Sequence, residues 1–263
     1  MIRKLDSDPL SSIGVFDSGV GGLSILRALR SELPQENFTY LADSGFAPYG
    51  ERDDSFVVER ARKLAQQLLD DHAIKALVIA CNTATAAAIH LLRAELPGLP
   101  IVGVEPALKP ALALTRTGRI GVLATRGTLA SAKFRALHDS LKQQADFPVQ
   151  ACDGLADAIE NHDSARTFDL CRQYTGALGT FGTCAGEIDT LVLGCTHYPF
   201  AQRDLQALVS PEVRLVETGE PVARHTRRLL EAAQLLQPRG AGSVTLLSTG
   251  DLARLERAAL RWL

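Results

Sequence analysis

The sequence predicts an α/β protein built as two similar doubly wound, mostly parallel-sheet domains that face each other across a cleft. Three observations predict it. Short runs that are apolar throughout, rather than alternating, recur along all 263 residues, as strands covered on both faces require. Stretches with helical spacing separate these runs, which is the strand–helix alternation of a doubly wound fold. The pattern also occurs twice. Residues 13–29 (IGVFDSGVGGLSILRAL) resemble 120–137 (IGVLATRGTLASAKFRAL), and 76–88 (ALVIACNTATAAA) resemble 190–202 (TLVLGCTHYPFAQ), in the same order.

Each element follows in turn. The run 13–16 stops at Asp17-Ser18 and a turn holding three glycines, and helical spacing begins at 22 and continues to 32. The run 38–42 (FTYLA) is closed by Asp43-Ser44 and by Pro48-Tyr49-Gly50, a turn tripeptide, before a helix over 55–72. The run 76–80 leads through Cys81-Asn82-Thr83 into an alanine-rich helix over 84–95, and 101–104 ends at Glu105-Pro106. In the second round, 120–124 ends at Thr125. The run 190–194 ends at Cys195-Thr196-His197 before a helix over 200–209, and 213–216 ends at Glu217-Thr218 before a helix over 221–236. A last strand covers 244–247, and 180–187 and 237–243 read as turns.

Composition excludes several functions. A net charge of -2, from 28 basic and 30 acidic residues, with no basic stripe, argues against nucleic acid or an anionic membrane as partner. No run approaches the ~20 apolar residues of a membrane span. The start, MIRKLDSDPLSS, lacks the apolar core of an export signal, so a cytoplasmic protein is expected. The five cysteines include no Cys-x-x-Cys pair and read as reduced thiols. Cys195 and His197 have no second ligand pair at zinc spacing, so no metal is expected. None of the six lysines falls at a strand end within these motifs, which disfavours a pyridoxal-phosphate Schiff base. The expectation is an enzyme with no cofactor.

In open α/β sheets, ligands bind beyond the carboxyl ends of the strands. The polar and reactive residues gather there. A cysteine acts chemically as its thiolate, which a helix N-terminus stabilises. A free cysteine is otherwise a small buried apolar residue, and Cys152, Cys171 and Cys184 read that way. Cys81 and Cys195 occupy repeat-related positions flanked by polar residues, and His197 stands beside Cys195. The glycine turn at 17–22 could hold an anion on its N–H groups or could serve only as a tight helix start. A hydrolase using Cys195 as nucleophile and His197 as base leaves Cys81 unexplained. A non-catalytic binding domain would be expected to have lost a cysteine.

Segments 16–24 (FDSGVGGLS), 48–50 (PYG), 80–83 (ACNT) and 193–199 (LGCTHYP), with support at 103–107 and 121–128, make the chain resemble the bacterial glutamate racemases of the aspartate/glutamate racemase superfamily. The resemblance implies cofactor-free interconversion of L- and D-glutamate by two bases, for peptidoglycan synthesis. It assigns Cys81 to D-glutamate and Cys195 to L-glutamate, with Asp17 and His197 assisting them respectively. It implies substrate contacts at Asp17, Ser18, Tyr49, Gly50, Asn82, Thr83, Thr196 and His197. Thr125, at the end of its strand, and Glu160, which the resemblance matches to a family carboxylate near the site, complete the candidates. The resemblance further implies a first domain of residues 1–106 completed by 217–263, a second of 107–216, and a homodimer. Two domains contributing one cysteine each would supply the acid and base on opposite faces that inversion of a stereocentre needs. The stretch 151–160 and the Gly45-Phe46-Ala47 entry to the PYG loop depart from the family pattern.

Overall fold

The computed structural model describes residues 8–263, and the polar reading of the first seven positions lies outside that part. The chain builds β1 (Ile13–Asp17), α1 (Leu23–Glu32), β2 (Asn37–Ala42), α2 (Asp54–His72), β3 (Ala76–Ile79), α3 (Asn82–Glu95) and β4 (Ile101–Gly103). It crosses to a second layer of α4 (Leu108–Leu112), β5 (Ile120–Ala124), α5 (Arg126–Ala130), α6 (Ala132–Leu141) and β6 (Val149–Ala151). That layer continues with α7 (Leu155–Glu160), α8 (Ser164–Leu178), β7 (Thr190–Gly194), α9 (Gln202–Leu208) and β8 (Arg214–Val216). It then returns through α10 (Gly219–Ala232), β9 (Ser243–Ser248) and α11 (Leu252–Trp262).

All strand pairs are parallel. The first sheet runs β4-β3-β1-β2-β9 and the second β6-β5-β7-β8. Read from its other edge, the second sheet is β8-β7-β5-β6. Every strand there is the counterpart, four along, of β4-β3-β1-β2. The internal repeat seen in the sequence is therefore a repeat of topology, with β9 added outside β2 by the returning segment.

The continuous apolar runs behave as two-faced strands. Ile13 and Val15 of β1, with Ala76 and Val78 of β3, pack in the core under α1, α10 and α11, while Phe16, Leu77 and Ile79 pack under α2 and α3. In the second sheet Leu191 and Leu193 face one core and Val192 the other. Each large side chain fully buried in this way contributes about 1.5–3 kcal/mol.

Three features bear on the site. At the end of the first sheet opposite it, Lys75 and Glu36, both buried, form an ion pair. Lys75 also donates to the Pro9 carbonyl, and Glu36 accepts the Gln237 N–H at 2.8 Å, so the pair ties four separate segments together. The two crossings between layers come side by side, since Glu105, Pro106, Ala107, Thr218 and Pro221 wall one crevice. Phe200, just beyond His197, belongs to a core on each side and stacks on Trp262 of α11 at 4.2 Å between ring centroids.

Candidate active site

A parallel sheet aims all its carboxyl ends one way, and the two sheets aim theirs at a single cavity of about 190 Å3. Ser18, Tyr49, Gly50, Cys81, Asn82 and Thr83 line it from the first layer. Thr125, Glu160, Cys195, Thr196 and His197 line it from the second, and Arg254 reaches in from α11. The sequence-predicted residues thus come together, with one distinction. Asp17 is fully buried behind the wall and does not line the cavity.

Cys81 caps α3, and its sulfur accepts the Ala84 N–H at 3.5 Å with the Ser18 hydroxyl 3.9 Å away. Burial nevertheless pushes the Cys81 thiol up, and the Asp17 charge adds to this, against a smaller opposing pull from the Ala84 N–H. Cys81 is therefore held in its protonated form by its buried setting, despite the helix N-terminus. Cys195 departs from the expected placement. A 3₁₀ turn, Tyr198–Ala201, with a proline at its start separates it from α9, so no α-helix begins at this cysteine. Its electrostatic partner is instead His197, whose Nδ1 lies 3.8 Å from the sulfur.

The far nitrogen of that imidazole, Nε2, lies 2.7 Å from Glu160 Oε2. Burial by itself would lower the His197 pKa, but the hydrogen bonds and charges of Cys195 and Glu160 outweigh it and hold it well above histidine's usual range. Burial pulls Glu160 the other way, and His197, the Val20 N–H and Arg254 overcome it to hold the carboxyl below its usual range. His197 and Glu160 form a buried ion pair whose cationic end faces a cysteine. Such a cation is the neighbour a thiolate needs.

The glycine turn explains how Glu160 and His197 fit. Val20 donates its N–H to Glu160 at 2.9 Å, and Gly22 and Gly19 donate theirs to Asp17 at 2.8 and 3.4 Å. The anions held by this turn are the protein's own carboxylates. A Cβ on Gly19 would strike the Glu160 carboxylate, and one on Gly21 would overlap the His197 ring. Glycine is needed here for close approach rather than for an unusual φ. Burial raises Asp17 from 3.8 to about 6, against the pull of the His197 charge and the Gly22 N–H.

Tyr49 donates to Asp43, which also takes the fork of Arg60 at 2.9 and 2.7 Å and the Thr249 hydroxyl at 2.8 Å. Asp43, a strand-end acid with no role assigned from sequence, therefore orients Tyr49. Thr83 and Thr125 share a hydrogen bond of 3.0 Å across the two layers, and a Cβ on Gly50 would sit 2.8 Å from the Thr125 Cβ. Ser24 ties down the Thr196 carbonyl at 2.8 Å. Asn82, only 4% exposed, has neither side-chain atom partnered, and such a buried orphan on a cavity wall is a donor and acceptor awaiting a ligand. Sequence reasoning also missed Ser44, Asp157, Asn161 and Arg254 on the wall. Their only signals were Ser44's place after a strand and the amphipathic spacing of 252–262.

Among the described residues no group of three or more His, Cys, Asp or Glu could hold a metal ion, and no helix is long and apolar enough to cross a membrane.

The family model for Asp/Glu/hydantoin racemases matches residues 22–226. The chain is 50% identical over 250 residues to a glutamate racemase of Methylococcus capsulatus, covering 94% of this chain and 90% of that one. To a glutamate racemase of Ectopseudomonas mendocina it is 48% identical, with 93% and 91% covered. The crystal structure of a glutamate racemase isoform from Bacillus anthracis superposes with a TM-score of 0.84 at 33% identity, covering 96% of this chain and 93% of that one.

Proposed function

The chain belongs to the Asp/Glu/hydantoin racemase family, and from that premise we propose that it is a cofactor-independent glutamate racemase using Cys81 and Cys195 as opposed bases. One observation carries the mechanism: cysteines from counterpart strands, β3 and β7, line one cavity from opposite layers.

In the L-to-D direction, the Cys195 thiolate takes the α-proton and becomes a thiol. The electron pair left on the α-carbon is delocalised into its carboxylate, and the Cys81 thiol gives a proton to the other face, ending as a thiolate. The protonated state of Cys81 and the cationic His197 beside Cys195 suit this direction. The reverse direction needs the Cys81 proton removed, and Asp17, at about 6, is the nearby group able to assist. Asn82, Thr83, Thr125 and Ser18 offer the donors for the substrate carboxylates. The reading extends to a cytoplasmic enzyme that supplies D-glutamate for peptidoglycan, and to a division into 1–106 with 217–263 against 107–216, which the return of β9 to the first sheet supports. The homodimer rests on the resemblance alone.

The test is α-carbon exchange of each glutamate enantiomer in D2O with no pyridoxal phosphate, metal or nucleotide added. Exchange with inversion from both enantiomers is expected. Activity that disappears on chelation and returns with one metal would falsify the cofactor-free mechanism.

A further inference from the structure

Helix α11 follows β9 at the edge of the first sheet, yet it grips the second layer at both ends of the Glu160–His197 pair. Near its start, Arg254 donates to the Glu160 backbone carbonyl and, at 3.1 Å, to Asn161 Oδ1, where α7 ends. At its far end Trp262 stacks on Phe200, in the turn that carries His197. The Glu160 carboxylate receives two more bonds from the first layer, from the Val20 N–H and from Ser44 Oγ at 3.4 Å. Its backbone is held across the layers by Arg254.

We propose that Arg254 is a positioning residue. By fixing the C-terminal end of α7 it sets the Glu160 carboxylate against Nε2 of His197, and through that imidazole it sets the charge facing Cys195. The geometry supports this in three ways. Glu160 is the last residue of α7, where helix carbonyls have no partner within the helix, so an arginine there meets an unfilled acceptor. Arg254 lines the cavity itself, so its hold acts at the site and not at a remote surface. Its charge also favours the ionised Glu160 that His197 requires. The groups facing His197 are Glu160 from α7, Cys195 from the end of β7 and Asp17 from the end of β1, with Arg254 acting through Glu160.

The catalytic part of this inference rests on the racemase reading, so the experiment separates the two. Wild type, Arg254→Ala and Arg254→Lys are compared in glutamate racemisation, in His197 titration by NMR, and in emission from Trp262, the sole tryptophan. Arg254→Ala is expected to lose up to about a hundredfold in kcat with a smaller change in KM, as misplacement of a catalytic group does. Its His197 titration should fall toward histidine's usual range, and Arg254→Lys should restore part of both effects. Unchanged His197 titration in Arg254→Ala overturns the proposal. If activity then falls together with a red-shifted Trp262, Arg254 only anchors α11. Wild type that fails to racemise glutamate while the variant still shifts His197 would remove the functional reading and leave the positioning role standing.

Discussion

Cys81 and Cys195 sit on unequal ground although they occupy counterpart positions. Cys81 keeps its proton beside Asp17, and Cys195 faces a cationic imidazole. Serine is a preferred N-cap, so Cys81→Ser should leave the melting temperature within a degree or two of wild type or slightly above it. A hydroxyl is a much poorer base than a thiolate, so either cysteine-to-serine variant should lose at least about 10²–10⁴-fold in racemisation. Elimination of HX from a chloro- or N-hydroxyglutamate needs only one base. Cys81→Ser should spare it with the L-analogue and Cys195→Ser with the D-analogue, and equal loss with both enantiomers would sink the opposed-face assignment. Asp17 carries a pH signature. It holds its proton up to about 6 when folded but only to its usual 3.8 when unfolded, so the folded state binds more protons between those values and stability falls as pH rises through them. Above pH 6 the deficit is about 3 kcal/mol. Asp17→Asn should therefore melt higher than wild type at pH 8, with the gap closing near pH 4, while activity falls. Thermal melts across pH check this, and a gap independent of pH would count against it. The reactive residues were readable from sequence because each ends an apolar run. Arg254 and Asp43 were not, because what they touch lies 94 residues away in one case and depends on a folded loop in the other.

At the scale of elements, the long strands were legible because burial on both faces leaves an uninterrupted apolar run. β6 escaped notice because it has three residues at a sheet edge and none is fully buried. The helices from α4 to α8 were not assigned from the sequence, although α8 buries Thr167, Cys171, Tyr174, Thr175 and Leu178 at helical spacing. Helix α11 is amphipathic, but it follows a strand that returns to the first sheet, and its partners could not be inferred from its neighbours in the chain. The glycine turn left two readings open, and it is both a helix start and an anion cradle, occupied by carboxylates of the protein itself. Gly21→Ala tests the close approach. The added methyl would displace His197 and is expected to cost more than about tenfold in activity, with about 1–3 kcal/mol of stability as overpacking. Gly→Ala with unchanged kinetics would show that the ring tolerates the shift. Removing the Lys75 amine tests the opposite end of the sheet. Lys75→Ala leaves Glu36 buried without its cation and should cost about 3–5 kcal/mol in denaturant unfolding, with kcat of the remaining folded enzyme unchanged. A loss below 1 kcal/mol would mean that water reaches the pair.

For the whole molecule, one strand order used twice places unlike residues at like positions: Asp17 matches Ala124 at the ends of β1 and β5, and Thr83 matches His197 after β3 and β7. The scaffold is close to symmetric, and the polar groups at its strand ends are not. The side-by-side crossings have a mechanical consequence. A body joined to another by one strand of chain can swing and twist freely, whereas two pins define a line. The layers are joined at Glu105–Ala107 and again at Thr218–Pro221, against one shared crevice, so the easy relative motion left to them is a rotation about that line. The Thr83–Thr125 bond and the Arg254–Glu160 clasp lie across the gap that such a rotation would widen. On the proposed reading, a rotation about that line would both admit a substrate and bring Cys81 and Cys195 back to face each other, as a door with two hinge pins opens and shuts along one path.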